Sequence, residues 1–192
     1  MGRWQPEART RLERAAMELF GERGFDQTTV AEIAARAGLT ERTFFRHYAD
    51  KREVLFGGSS GLSRQLVQSI ADAPAGATPI EMIAAVLATA GELFEERLDH
   101  ARQRRRIIDA HTDLQERELI KLASLAASLS EALRQRGVAD PAARLAAEAG
   151  VAVFKIAFDR WTDENNAAPL PDIVCESLAE LKAVTAGTPS YR

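Results

Sequence analysis

An all-α protein of about nine helices is the fold class this sequence predicts. Three observations lead there. Alanine is abundant and β-branched residues rarely run together, which favours helices. Apolar residues recur at 3- and 4-residue spacings over long stretches. Between those stretches stand Ser, Thr or Asp caps and Gly or Pro breaks. No stretch reads as a convincing strand, and there is no repeat or low-complexity segment.

The elements follow in order. Residues 7–23 form an amphipathic helix with Leu12, Ala15, Ala16, Leu19 and Phe20 on one face, and Gly24 ends it. Thr28 or Thr29 caps a helix over 30–37, with Glu32 completing a capping box after Thr29, and Gly38 breaks it. Thr40 caps a third helix over 41–47. Asp50 caps a fourth, with Glu53 as a second capping box; it runs to about Asp72, weakened by Gly57, Gly58 and Gly61. The break at Ala73-Pro74-Ala75-Gly76 precedes a helix capped by Thr78, with Pro79 at its first position, that reaches about Leu98. Residues 101–110 and 113–136 give two more, and Asp140-Pro141 opens another to about Asp163. Asp172 caps the last, to about Ala186.

Composition narrows the class. At 46% hydrophobic the chain buries a real core. No apolar run approaches the roughly 20 residues of a membrane span, and the opening MGRWQPEART has no apolar h-region, so no signal peptide and a cytoplasmic location are expected. The single cysteine, Cys175, excludes an intrachain disulfide framework and a multi-cysteine zinc site. His47, His100 and His111 do not read as metal ligands, and no nucleophile elbow, phosphate loop or metalloprotease motif is present. The sequence therefore predicts no metal, no cofactor and no enzymatic activity.

The segment TTVAEIAARAGLTERTFFRHYADK, residues 28–51, reads as two short helices joined by a tight turn. Such a pair fits the major groove of double-stranded DNA. Ile33, Ala34, Leu39 and Phe44 can form a core with Leu12, Ala16 and Leu19, with Gly38 supplying the turn. That leaves Thr40, Glu41, Arg42, Thr43, Arg46 and His47 on or near the exposed face, where hydroxyls and a guanidinium suit base edges and phosphates. Charge gives modest support. The chain is −3 overall, but residues 1–56 carry ten Lys+Arg against nine Asp+Glu, and residues 57–192 fifteen against nineteen. Local cations, not the chain total, set phosphate affinity.

Gly38 to Lys51, GLTERTFFRHYADK, resembles the signature of the tetracycline-repressor (TetR) family, and the resemblance extends over about residues 9–56. It implies a dimeric, all-helical repressor that leaves a palindromic operator when a small molecule binds its C-terminal domain. Residues 1–50 would be the DNA-binding domain and 51–192 the ligand-binding and dimerisation domain. Carried over by position, Thr40, Glu41, Arg42 and Thr43 approach bases or phosphates, and Thr29, His47, Tyr48 and Lys51 contact phosphate. Phe45 stands where many relatives have tyrosine, so one phosphate-binding hydroxyl is missing, and Arg42 replaces a small residue. Arg3, Trp4 and Arg9 are candidates for an N-terminal arm on the DNA backbone.

In the C-terminal half, Leu145, Ala149, Val153 and Ile156 on one helix and Ile173, Leu178 and Leu181 on the next offer apolar faces, with Cys175 at or near them. Two such helices can pair with their twofold copies in a homodimer. Residues 95–118 place Arg97, Arg102, Arg104, Arg105 and Arg106 within ten residues. They are either a solvated face or the anion-recognising entrance to an apolar cavity lined by Phe94, Leu98, Ile107, Leu122, Phe154, Phe158 and Trp161. Arg97, Arg102 and Arg106 are the candidate anion contacts. This stretch is similar to a subset of the family that accepts acyl-coenzyme A–like ligands, which would make the effector a long-chain acyl-CoA or another apolar anion.

Overall fold

Nine α-helices and two 3-10 segments account for the described residues, 7–57 and 59–187, of the computed structural model, and no strand occurs among them. By internal contacts the chain divides into two compact units. The line does not coincide with the division expected at 50/51. The first unit holds the described residues up to Ser59 together with Asp99–Glu118, and the second holds Ser60–Leu98 and the chain from Leu119 onward.

The first unit begins with α1 (Glu7–Arg23), α2 (Val30–Arg36) and α3 (Glu41–His47). The apolar spacing of α1 buries Leu12, Ala15, Ala16, Leu19 and Phe20 against Ile33 and Ala34 of α2 and Phe44 of α3. The Thr29–Glu32 capping box forms as expected. The turn between α2 and α3 needs Gly38, whose φ of 64° lies in the left-handed region. Arg11 of α1 donates to the carbonyls of Ala37 and Gly38 and holds that turn down.

The expected fourth helix is two elements. Residues Arg52–Phe56 form a 3-10 segment, and α4 runs only over Ser59–Ala71. Asp50 Oδ1 does accept from the Glu53 N–H, at 2.9 Å. Val54, Leu55 and Phe56, however, are all buried in the N-terminal core, so the segment follows that core, and the poor helix propensity of Gly57 permits the break.

The first unit is completed from far along the chain. After α5 (Pro79–Phe94) and a 3-10 segment Glu95–Arg97 come α6 (Leu98–Asp109) and α7 (Thr112–Gln135). Ile108 and Leu114, 1% and 0% exposed, belong to the same core as Leu12 and Phe44. Gln103 donates to the Met17 carbonyl, Arg104 to the Leu55 carbonyl, and Arg117 to the carboxylates of Asp50 and Glu53.

In the second unit α5 packs with α8 (Asp140–Thr162) and α9 (Leu170–Thr185). The last helix starts two residues before the expected cap: Leu170 is fully buried, Pro171 takes the first turn, and Asp172 is an acid of that turn. Arg136 donates to the carbonyls of Ile70, Ala71, Ala73 and Pro74, satisfying acceptors at the C-terminus of α4.

Candidate nucleic-acid interface

The candidate surface is built on α3, a helix of only seven residues. Its propensity alone would not hold it. Thr40 caps it by accepting from the Thr43 N–H at 3.2 Å, and Phe44, 0% exposed, seats it in the core. With Phe44 inward, the outer face carries Glu41, Arg42, Phe45 and Arg46, all exposed. Thr43 is half-buried, and its hydroxyl pairs with that of Thr40 at 3.1 Å.

Ion pairing sharpens this face. Arg36 bridges Glu22 and Glu18, Arg23 pairs with Glu32, and Arg52 with Asp113. Hydrogen bonding to Glu22 pushes the Arg36 guanidinium further toward its charged form. The near-equal charges of the N-terminal region are thus largely self-neutralised. Arg42 and Arg46 carry no ion pair among the described residues, and both point outward. Arg46 belongs with the positions drawn from the family signature.

The other expected contacts divide. Thr29 is exposed at the start of α2, but its hydroxyl donates to Glu32 Oε2 at 2.9 Å within the capping box. His47 is half-buried; burial, with Arg46 and Arg9 behind it, pushes its imidazole below the ordinary histidine value, so it is neutral near pH 7. Its Nε2 is buried without a hydrogen-bond partner. Two expected phosphate contacts are corrected. Tyr48 is 2% exposed and its hydroxyl donates to Glu13 Oε1 at 2.8 Å. Burial first, and Glu13 second, raise its pKa well above the tyrosine range. Lys51 Nζ donates to the carbonyls of Phe25 (2.7 Å) and Thr28 (2.9 Å) and lies 4.3 Å from the Phe25 ring centre. Burial lowers its pKa. Both residues fasten the domain rather than face outward. Of the candidate arm, Arg9 pairs with Glu13, while Arg3 and Trp4 lie outside the described residues.

The expected ligand residues also divide. Phe94, Phe154, Phe158 and Trp161 form one aromatic cluster in the second unit, with successive ring centres 5.5–5.8 Å apart. Leu98 and Leu122, both half-buried, and Arg97, exposed, belong to that unit. Ile107, Arg102 and Arg106 do not. Ile107 packs on the N-terminal core, and with the two arginines it lines an open groove of about 660 Å³ beside Phe20, Gly21 and Phe25 within the first unit. Of the other arginines of α6, Arg104 pairs with Glu118 and lies over the Phe56 ring, and Arg105 pairs with Asp109. Arg104 thus fastens α6 to other elements, while the Arg105–Asp109 pair lies within the helix. The reach of Arg104, 49 residues back to Leu55 and 14 forward to Glu118, is not legible in the local charge pattern.

On α8, Leu145 and Ile156 are 72% and 57% exposed and Ala149 is half-buried on the same side. On α9, Cys175 is exposed and Leu181 half-buried. Val153, Ile173 and Leu178, expected on the same apolar face, are instead 3%, 1% and 8% exposed. They point into the packing of α5, α8 and α9, where the second unit has its own core to fill. Among the described residues no group of three or more His, Cys, Asp or Glu is placed to hold a metal ion, and no helix is long and apolar enough to cross a membrane.

Comparison with known proteins agrees with this geometry. Residues 13–56 match the model of bacterial regulatory proteins of the tetR family. Over 92 residues the chain is 36% identical to the HTH-type transcriptional regulator TcmR of Streptomyces glaucescens, covering 47% of this chain and 41% of TcmR. The chain thus spans about two fifths of the length of that curated relative. Two solved structures share the fold across nearly the whole chain. A TetR-family transcriptional regulator from Syntrophomonas wolfei superposes with a TM-score of 0.69 at 18% identity, over 97% of this chain and 98% of that one. FadR from Bacillus subtilis, in complex with stearoyl-CoA, gives a TM-score of 0.63 at 19% identity, over 90% and 96%.

Proposed function

We propose that this chain, which carries the N-terminal domain of the tetR family of bacterial regulatory proteins over residues 13–56, is a ligand-responsive transcriptional regulator and acts as a cytoplasmic repressor. Two copies bind a palindromic operator, each laying α3 in the major groove. The observation that carries this reading is the outer face of α3, where Arg42, Phe45 and Arg46 stand exposed on a helix seated by a fully buried Phe44. Glu41 shares that face, Thr40 and Thr43 lie at its start, Thr29 stands exposed at the start of α2, and His47 adds a neutral ring at the end of α3. The two copies meet through the exposed side of α8 and α9, at Leu145, Ala149, Ile156, Cys175 and Leu181.

The effector binds in the domain spanning residues 51–192 and is an acyl-CoA-like apolar anion. The aromatic cluster of Phe94, Phe154, Phe158 and Trp161 suits an acyl chain, Leu98 and Leu122 extend the apolar wall, and Arg97 suits a phosphate. The stearoyl-CoA held by FadR supports that class. Such a ligand releases DNA by favouring a DNA-incompetent population of the protein. The element that carries the change is α4, held at its C-terminus by Arg136 and joined at its N-terminus to the 3-10 segment of the first unit.

Fluorescence anisotropy with labelled DNA from upstream of the protein's own gene, and with duplexes recovered by random-sequence selection, tests the reading. Tight, salt-dependent binding that a long-chain acyl-CoA abolishes is expected. Binding indifferent to the acyl compound overturns the ligand class alone. Failure to recover any preferred duplex overturns the regulator.

A further inference from the structure

The outer face of α3 holds an unusual residue for a surface that meets water. Phe45 is 55% exposed, and among the described residues it is the one large apolar side chain of the first unit left so. Its neighbour Phe44 meets it edge-on at 5.5 Å but does not cover it. Arg42, three residues before, and Arg46, one after, are exposed on the same helix four residues apart, so the ring lies beside a cationic strip. The threonines that border the strip have their hydroxyls paired with each other.

A phenyl ring brings no donor and no acceptor. Among the groups that base pairs present in the major groove, the apolar one is the C5-methyl of thymine. The nitrogens and oxygens of guanine, adenine and cytosine would lose water against the ring without gaining a hydrogen bond. Building on the DNA-binding reading above, we infer that Phe45 selects the operator by packing on a thymine methyl, while Arg42 reads a nearby guanine. The two side chains are three residues apart on one helix face, a rise of about 4.5 Å, against a stacking distance of about 3.4 Å for successive base pairs. The thymine and guanine therefore lie one or two base pairs apart.

The test uses the full chain and a duplex from random-sequence selection. Each thymine of the half-site is replaced in turn by deoxyuridine, which removes the methyl and leaves the hydrogen-bonding edge intact. Affinities are measured for the wild type and for Phe45→Ala, a change at an exposed ring whose folding is checked by circular dichroism. At one thymine per half-site the wild type is expected to lose about four-fold, the worth of one buried methyl, and about fifteen-fold when both half-sites are changed. Phe45→Ala should bind the two duplexes alike. At that position a 5-methylcytosine should also be preferred over cytosine by the wild type and not by the variant. Equal losses in both proteins, no loss at any thymine, or a selected half-site without thymine overturns the inference while the DNA-binding reading stands. If selection enriches no sequence, both fall.

Discussion

The Tyr48 hydroxyl donates a 2.8 Å hydrogen bond to the Glu13 carboxylate, and the chain closes over the pair at Gly57. A Cβ at Gly57 would lie 2.8 Å from the tyrosine oxygen and 2.6 Å from Glu13 Oε1, so a side chain there would have to displace the pair. The hydroxyl thus joins α1 to the residue that ends α3. Tyr48→Phe should cost about 1 kcal/mol in urea unfolding and leave the dependence of log Kobs on log salt unchanged. A slope shallower by about one would restore a phosphate contact at this position.

How far the sequence reveals this molecule depends on the range of the contact. Thr29 and Glu32, Gly38, and the apolar spacing of α1 act within a few residues, and each of them appears where the pattern places it. Lys51 and Tyr48 were misplaced because what captures them is distant: carbonyls 26 and 23 residues before Lys51, and a carboxylate 35 residues before Tyr48. Val153 and Ile173 show the other limit. A helix with apolar residues on a wide arc does not disclose which edge meets its own core and which a partner.

His47 gives a pH dependence with a definite sign. Its folded-state pKa lies below the ordinary histidine value of 6.5, chiefly through burial and then through Arg46 and Arg9. Below that value the unfolded chain takes up a proton that the folded chain still refuses, so stability falls as the pH drops from about 6.5 toward the folded value. Urea midpoints measured from pH 7.5 down to 5 should decline more steeply for the wild type than for His47→Gln. Parallel curves would mean that the ring is not held in the buried site.

Leu114 tests whether the start of α7 is part of the N-terminal unit. It is fully buried in the core shared with Leu12 and Phe44, although some 70 residues of chain separate it from α3. Leu114→Ala should cost about 2–5 kcal/mol, and a preparation warmed to partial unfolding should lose operator binding in step. Leu119→Ala, at a side chain 57% exposed, should change stability by less than about 0.5 kcal/mol. Similar effects for the two would remove the α7 contribution to that core.

The proposed pairing of two chains rests on the exposed side of α8. Leu145, Ala149, Ala152 and Ile156 recur at four-, three- and four-residue steps along one side of the helix. Leu145 and Ile156, at 72% and 57% exposed, have little internal burial to lose. The double change Leu145→Glu with Ile156→Glu should therefore keep the helix content and the melting temperature of the folded monomer. Carboxylates facing their twofold copies repel and lose hydration, so sedimentation should shift to the mass of a single chain. Operator affinity should fall by about 10²-fold or more, because two joined half-site contacts become independent. Ile173→Ala supplies the contrast: its side chain is 1% exposed, so it should lower the melting temperature as a core truncation does. A wild type that already sediments as a monomer, or a double variant that remains dimeric, would place the interface elsewhere on the chain.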